Sequence, residues 1–456
     1  MSETSGLSRR NFIKTSGAVL GGTMLAHPIL SFAANRRGNE KMKVALVGTG
    51  VRGVGMYGQR LLQDYGNYVD MVGICDQNPG RVKYAHDYIK PNGPAFTDLD
   101  EMLTKTRPEW LIVTTWDWEH HSCIIKGLQH GCNIMCEKPL TIDEHKAQML
   151  LDAKKKYGKE IIVTFNYRWA PPRAKLKELI MGGAIGDLTT VDFHWNISRS
   201  HQMRYMQRWH GEKSRGGSLW VHKSTHHFDL VNWWIDSDPE EVYAFADLEQ
   251  FGSNGPFRGK NCRNCDHTHE CPYYWDITQS DHLNGLYAKN ENFDGYIRDN
   301  CVFRHQIDSY DKHAAVVKYA NNVLLNYSLT CDTNHSGFWI AFNGTKGRIE
   351  GREGGWPGLK QGEPQQWILQ PIDGENEVID VYRKEGGHWG GDPLMKNKFF
   401  VDPDQDDPLA QAAGLRDGVM SILPGIAARK SSETGQKIRI ADLTSLKPMA
   451  KRPVSG

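Results

Sequence analysis

The sequence predicts an α/β protein in two parts: an N-terminal Rossmann dinucleotide-binding domain and a C-terminal α/β domain built on an open, mostly antiparallel sheet. Three observations predict it. A short apolar run, Val44 to Val47, ends directly in Gly48-x-Gly50-x-x-Gly53. A second apolar run, Val69 to Cys75, ends in Asp76. Strand-like and amphipathic helical stretches then alternate until about residue 165, where longer β-like runs take over.

Taken from the start, Ser8-Arg9-Arg10-Asn-Phe12 is a twin-arginine pair before an aromatic residue, followed by a Gly-rich apolar stretch and small residues near Ala34. Residues 1–35 therefore read as an export signal resembling the twin-arginine (Tat) type, with a periplasmic destination. The stretch is too interrupted for a stable membrane span. Export of an already folded protein away from the cytoplasmic NAD pool implies a dinucleotide held tightly.

The remaining chain, roughly 420 residues, is long enough for two cores. Net charge is +1 with mixed signs, which gives no footprint for nucleic acid. Residues 36–165 form the expected Rossmann domain. Its strands are read at 44–47, 69–75, 110–114, 133–136 and 160–164, with helices near 53–63, 80–89, 119–130 and 142–156. Gly48 permits the tight turn, Gly50 the approach of a pyrophosphate, and Gly53 the close packing of helix on strand, with Val51 and Arg52 between them. The helix N-terminus favours phosphate, and Asp76 is spaced to bond a ribose 2′-OH, so NAD is the expected cofactor.

Residues 166–400 form the expected substrate domain, with β-like runs at 188–197, 241–248, 314–330 and 339–350 and a Cys-rich loop at 262–301. Residues 401–456 supply a last helix near 409–423, expected to stop before Pro424-Gly425 and to pack back on the body.

Glu137-Lys138-Pro139 follows a buried-type strand, His120 opens the helix before it, and His222-x-x-x-His226-x-x-Asp229 opens a later helix. Together with the glycine loop these anchors resemble the Gfo/Idh/MocA (glucose–fructose oxidoreductase / inositol dehydrogenase) family over roughly residues 42–350. The resemblance implies a lysine, here Lys138, beside the nicotinamide and the reacting hydroxyl. It also implies an open sheet that carries substrate and often a homo-oligomer interface. Thr115, His120 and Glu137 are expected near the cofactor. The family has aspartate where this chain has His222. Positions 222 and 226 share a helical face, and histidine titrates near neutrality, so His226 is the expected general base, with His222 orienting it or binding substrate. A metal held by His222, His226 and Asp229 is the alternative that spacing alone permits.

The expected partner is a small carbohydrate. Its candidate contacts are Trp116, Asn166, Arg168, Tyr205, Trp209, Asp229 and His388, several of them in donor-rich or Gly-flanked stretches. Cys262-x2-Cys265-x5-Cys271 with distant Cys301 has the spacing of a structural zinc site, with disulfides or free thiols as the alternatives. The reading is an NAD-dependent oxidoreductase acting on a secondary hydroxyl of a sugar, polyol or glycoside. An NAD-dependent glycosidase using transient oxidation and a non-catalytic sugar or nucleotide sensor are the alternatives.

Overall fold

The computed structural model describes residues 40–356, 359 and 362–452. The expected export signal, Ser8-Arg9-Arg10 included, lies outside the described residues. Among those described, no helix is long and apolar enough to cross a membrane.

The first sheet is built from β1 (Met42–Val47), β2 (Val69–Cys75), β3 (Ala95–Phe96), β4 (Trp110–Val113), β5 (Asn133–Cys136) and β6 (Ile161–Val163). These pair in parallel in the order β6-β5-β4-β1-β2-β3. β4 is buried at every position, as a strand covered on both faces should be. The order reverses between β1 and β4, and that reversal opens a crevice at the strands' carboxyl ends. Capping fixes the helices between them. Asp143 accepts the Lys146 N–H (2.8 Å) to start helix Glu144–Tyr157, and Gly158, at φ 69°, ends it. One helix, Leu99–Thr106, lies in a stretch where none was expected.

The second sheet has nine strands, introduced as β7 (Leu188–Ser198), β8 (Pro239–Asp247), β9 (Lys312–Tyr319), β10 (Leu324–Thr333), β11 (Gly337–Gly344), β12 (Gly347–Gly354), β13 (Gln365–Pro371) and β14 (Glu377–Val381). With β15 (Ala413–Gly414) added to the first sheet and β16 (Ile438–Arg439) to the second, the order here is β14-β13-β12-β11-β7-β10-β9-β8-β16. Only β7 and β10 pair in parallel. Burial alternates along β7, β9 and β10, so one face packs inward. Helix Ser224–Ile235, buried at every residue, lies in the core beneath it.

The C-terminal segment joins both sheets, since β15 pairs with β6 and β16 with β8. Its helix corrects an expectation. It runs Leu415–Thr434, with Pro424 inside rather than beyond its end. A proline removes the N–H that residue 420 would receive. Here Asn232 Nδ2 donates to the Met420 carbonyl instead (3.0 Å). Gly425 lies so close to the Trp220 carbonyl that a Cβ would stand 2.1 Å from it. A distant side chain thus repairs the break, which no local pattern reveals.

Candidate active site

The glycine loop fits a dinucleotide. Gly48 adopts φ 90°, and a Cβ there would lie 2.5 Å from the Thr115 nitrogen. A Cβ on Gly53 would lie 2.1 Å from the Gly48 carbonyl, so the first helix can sit tightly against the turn only with glycine. At the end of β2, Asp76 Oδ2 accepts from the Thr49 N–H (2.8 Å) and hydroxyl (3.0 Å). Its Oδ1 accepts from the Asn78 N–H (3.0 Å) and Arg81 (3.2 Å). The carboxylate is thereby aimed into the crevice and partly balanced by Arg81.

The crevice deepens into one cavity of about 760 Å³ that reaches the second domain. Lys138 enters from the loop after β5. Its Nζ donates to the backbone carbonyl of His222 (3.1 Å), which ties the two domains' reactive groups together. Arg52 holds Glu137 at 2.7 Å. His120 braces the same loop, its two ring nitrogens 2.8 Å from the Pro139 carbonyl and 3.2 Å from that of Thr115. Burial pushes the Lys138 ammonium down to about 8, opposed by Asp117.

His222 has a partner that the sequence did not disclose. Its Nδ1 lies 2.6 Å from Asp117 Oδ2, and both side chains are nearly buried. Burial, then Lys138, holds the His222 imidazole well below its ordinary value. Burial raises Asp117, against Lys138 and Arg208. A neutral imidazole oriented by a carboxylate at Nδ1 keeps Nε2 able to accept a proton. His226 is different. Its ring stacks flat on Tyr167 (3.9 Å, 10°), and its buried Nδ1 has no hydrogen-bond partner among the described residues. Burial and Lys138 hold it, too, well below its ordinary value.

Beyond these groups the cavity is aromatic and cationic. Trp116 stacks on Trp118 (4.6 Å), which meets the edge of Trp209 (5.4 Å). Tyr205, Asn166 and His388 also line it. His388 bonds Asp392 (2.9 Å), which accepts from Asn166 (2.6 Å). The stretch around Tyr205 and Trp209 is not an open loop: it forms helix Arg199–Met206 and a short turn at Trp209. Lys223, one residue past His222, also lines the cavity. It donates to the Tyr167 hydroxyl (3.2 Å), and burial brings its ammonium down to about 7.

The long connection from β8 to β9, residues 248–311, folds back across the crevice. Tyr287 Oη accepts the Val51 N–H of the glycine loop (2.8 Å). Asn78 donates to the Asn290 carbonyl (2.8 Å), and Arg81 pairs with Asp294 (2.8 Å). Tyr287, Tyr296 and Arg298 from this connection line the cavity, and no local signal marks them in the sequence.

Three expectations are corrected. Arg168 and Asp229 do not line the cavity. They form a bidentate pair (2.6 and 2.9 Å) in the interior, shared with Asp417. With Asp229 committed there, the His222–His226–Asp229 metal site is not formed. Cys262, Cys265, Cys271 and Cys301 do converge, as free thiols, on a small cavity of about 20 Å³ walled by Phe257, Tyr273 and Val302. Among the described residues, however, no three His, Cys, Asp or Glu side chains are assembled to hold a metal ion, so the residues do not fit the expected zinc. The thiols take N–H donors instead: Cys265 from His267 (3.4 Å) and Cys301 from Phe303 (3.4 Å).

Comparison with known proteins finds the same two domains. Residues 42–165 match the oxidoreductase family's NAD-binding Rossmann fold, and residues 177–440 match its C-terminal α/β domain. A Bacillus subtilis chain named as an oxidoreductase, YteT, is 33% identical over 88% of this chain and 98% of its own length. Inositol 2-dehydrogenase/D-chiro-inositol 3-dehydrogenase of Lactiplantibacillus plantarum is 25% identical, over 43% of this chain and 55% of that enzyme. A levoglucosan dehydrogenase solved with NADH and levoglucosan shares the fold, with a TM-score of 0.64 and 17% identity over 88% of this chain and 100% of that one. The glycine loop, the Glu137-Lys138-Pro139 edge and the two matched domains thus make this chain a member of the Gfo/Idh/MocA family of NAD-binding oxidoreductases.

Proposed function

We propose that this chain moves a hydride between a secondary hydroxyl of a sugar, polyol or glycoside and a tightly held NAD. The observation that carries the reading is the meeting of Lys138 with the His222–Asp117 pair in the cavity that begins at the glycine loop. The nicotinamide, when bound, supplies the hydride acceptor. Lys138 would hold the charge that grows on the substrate oxygen. His222, oriented by Asp117, would take the hydroxyl proton at Nε2. This moves the base role from His226, which is stacked on Tyr167 and lacks a carboxylate. Trp116 and Trp209, with Trp118 packed between them, offer apolar faces to a sugar ring. The named substrates of the inositol and levoglucosan enzymes support a polyol or sugar.

Tight retention is supported by the connection 248–311, whose Tyr287 meets the Val51 N–H and whose Asp294 meets Arg81. Work in the periplasm on a protein exported by the twin-arginine signal belongs to the same proposal. So does a homo-oligomer formed through the second sheet, supported by exposed Tyr243, Phe245 and Val316 on its strands.

The test is to denature freshly purified protein, assay the supernatant for dinucleotide, and analyse products from a glycoside panel without added NAD. Bound NAD that turns to NADH with a keto-sugar upholds the proposal. Free sugar released over many turnovers would make the chain a glycosidase instead. Protein that binds no dinucleotide would overturn it.

A further inference from the structure

The proposed chemistry leaves two partly buried cavity arginines unexplained, Arg208 and Arg298. Arg52 and Arg81, which line the same cavity, have carboxylate partners in Glu137 and Asp76, and the interior Arg168 and Arg173 have theirs in Asp229 and Glu353. Among the described residues no carboxylate pairs with Arg208 or Arg298. Arg208 Nε donates only to the Arg204 carbonyl (2.6 Å), and the guanidinium lies 5.9 Å from the Tyr205 ring. Arg298 stacks 4.5 Å from the Tyr287 ring, and its buried Nε has no partner among the described residues. Desolvation and the neighbouring Arg298 lower Arg208 from its ordinary value. A half-buried guanidinium without a counter-charge is placed to pair with an anion.

The two arginines enter one cavity from different elements. Tyr287 reaches the glycine loop through the Val51 N–H, so Arg298 stands on the dinucleotide side. Arg208, its neighbour, follows helix Arg199–Met206 and also reaches the reactive end, where its guanidinium lies over Tyr205. Tyr205 there bonds His201 (2.9 Å) and meets the edge of the His222 ring (5.2 Å), and Arg204 and Lys223 line the same end. Asp117, which lines the same cavity, is already committed to His222.

We propose that the oxidised sugar carries a negative group, a carboxylate or a phosphate ester, anchored by Arg208 with Arg204 and His201. This rests on the dehydrogenase reading and names its substrate class. A guanidinium fork accepts either oxyanion bidentately. The aromatic wall of Trp116 and Trp209 would take the neutral ring.

The experiment measures reduction of bound dinucleotide by glucose, glucuronate and glucose 6-phosphate in the native protein and in Arg208→Gln. A charged sugar should exceed its neutral counterpart in kcat/KM by about tenfold or more, and Arg208→Gln should cut that ratio by about 10- to 100-fold. The better of the two charged sugars identifies the group. Arg298→Gln should weaken retention of the dinucleotide more than it changes the ratio. Equal use of charged and neutral sugars, or an unchanged ratio in Arg208→Gln, overturns the proposal. If no sugar reduces the dinucleotide, the dehydrogenase reading fails separately. Calorimetry of glucuronate and glucose 6-phosphate binding to native protein and Arg208→Gln then decides the anion site: Arg208-dependent binding upholds it, and no binding or Arg208-independent binding overturns it.

Discussion

Two clusters of buried charge stand on either side of helix Ser224–Ile235, and they are built on opposite rules. In the interior cluster, Arg168 grips Asp229 and Asp417, and Arg452 also reaches Asp417. Every charge there answers another within the fold. In the cavity, Lys138, Lys223 and Arg208 make no carboxylate ion pair among the described residues; Asp117 is bonded to a histidine and Glu137 is held by Arg52. Closed charge ties the C-terminal helix to the interior of the second domain, whereas the open charge faces the cavity. Residue type does not separate the two clusters, since both hold basic and acidic groups on neighbouring turns. What separates them is whether the partners are complete.

Removing one group from each cluster sharpens the contrast. The largest effect is expected from Lys138→Ala. It should lower turnover by ~10²–10⁴-fold, with fold and dinucleotide retained. His222→Ala should follow within that range and exceed His226→Ala; the reverse order, read by stopped-flow reduction of the dinucleotide, would return the base role to His226. In the interior cluster, Asp229→Ala should cost about 3 kcal/mol of stability, because it deprives a buried guanidinium of its bidentate partner. Denaturant melts measure the loss, and the protein that remains folded should keep its turnover per site.

The pH profile gives a smaller effect. Burial has brought Lys138 to about 8, so it is protonated below that value and neutral above. Its stabilisation of the substrate oxygen is lost as pH rises through about 8. The oxidation rate should therefore fall there, by at most about tenfold per unit. In Lys138→Arg, whose guanidinium stays charged, that fall should vanish. The smallest effect is expected at the repaired helix. Asn232→Leu removes the donor to Met420 and should cost about 1–2 kcal/mol in thermal or denaturant melts without changing the activity profile.

These particulars show what the sequence carried. The Rossmann half was legible because its signals are local. β2 and β5 fall where the apolar runs place them, and the spaced glycines mark the turn before the first helix. Lys138, His222, Trp116, Tyr205 and Trp209 were legible for the same reason. The rest depends on partners far along the chain. Pro424 reads as a stop until Asn232 is brought beneath it. Arg168 and Asp229 read as ligand contacts until they are found facing each other. Asp117 gave only a faint signal, one acid between two tryptophans at a strand's carboxyl edge. Tyr287 and Arg298 gave none, because their place follows from the folding back of a long connection.

The central claim is that Lys138 and the His222–Asp117 pair act on a substrate hydroxyl beside a retained dinucleotide. The most direct measurement mixes the native protein and Lys138→Ala, each with its dinucleotide content measured, with an active sugar and follows the near-ultraviolet absorbance of reduced nicotinamide in a single turnover. The account predicts a rapid rise in the native protein and a rise slowed by ~10²-fold or more in Lys138→Ala at equal dinucleotide occupancy. Equal rates in the two proteins, at equal occupancy, would contradict it.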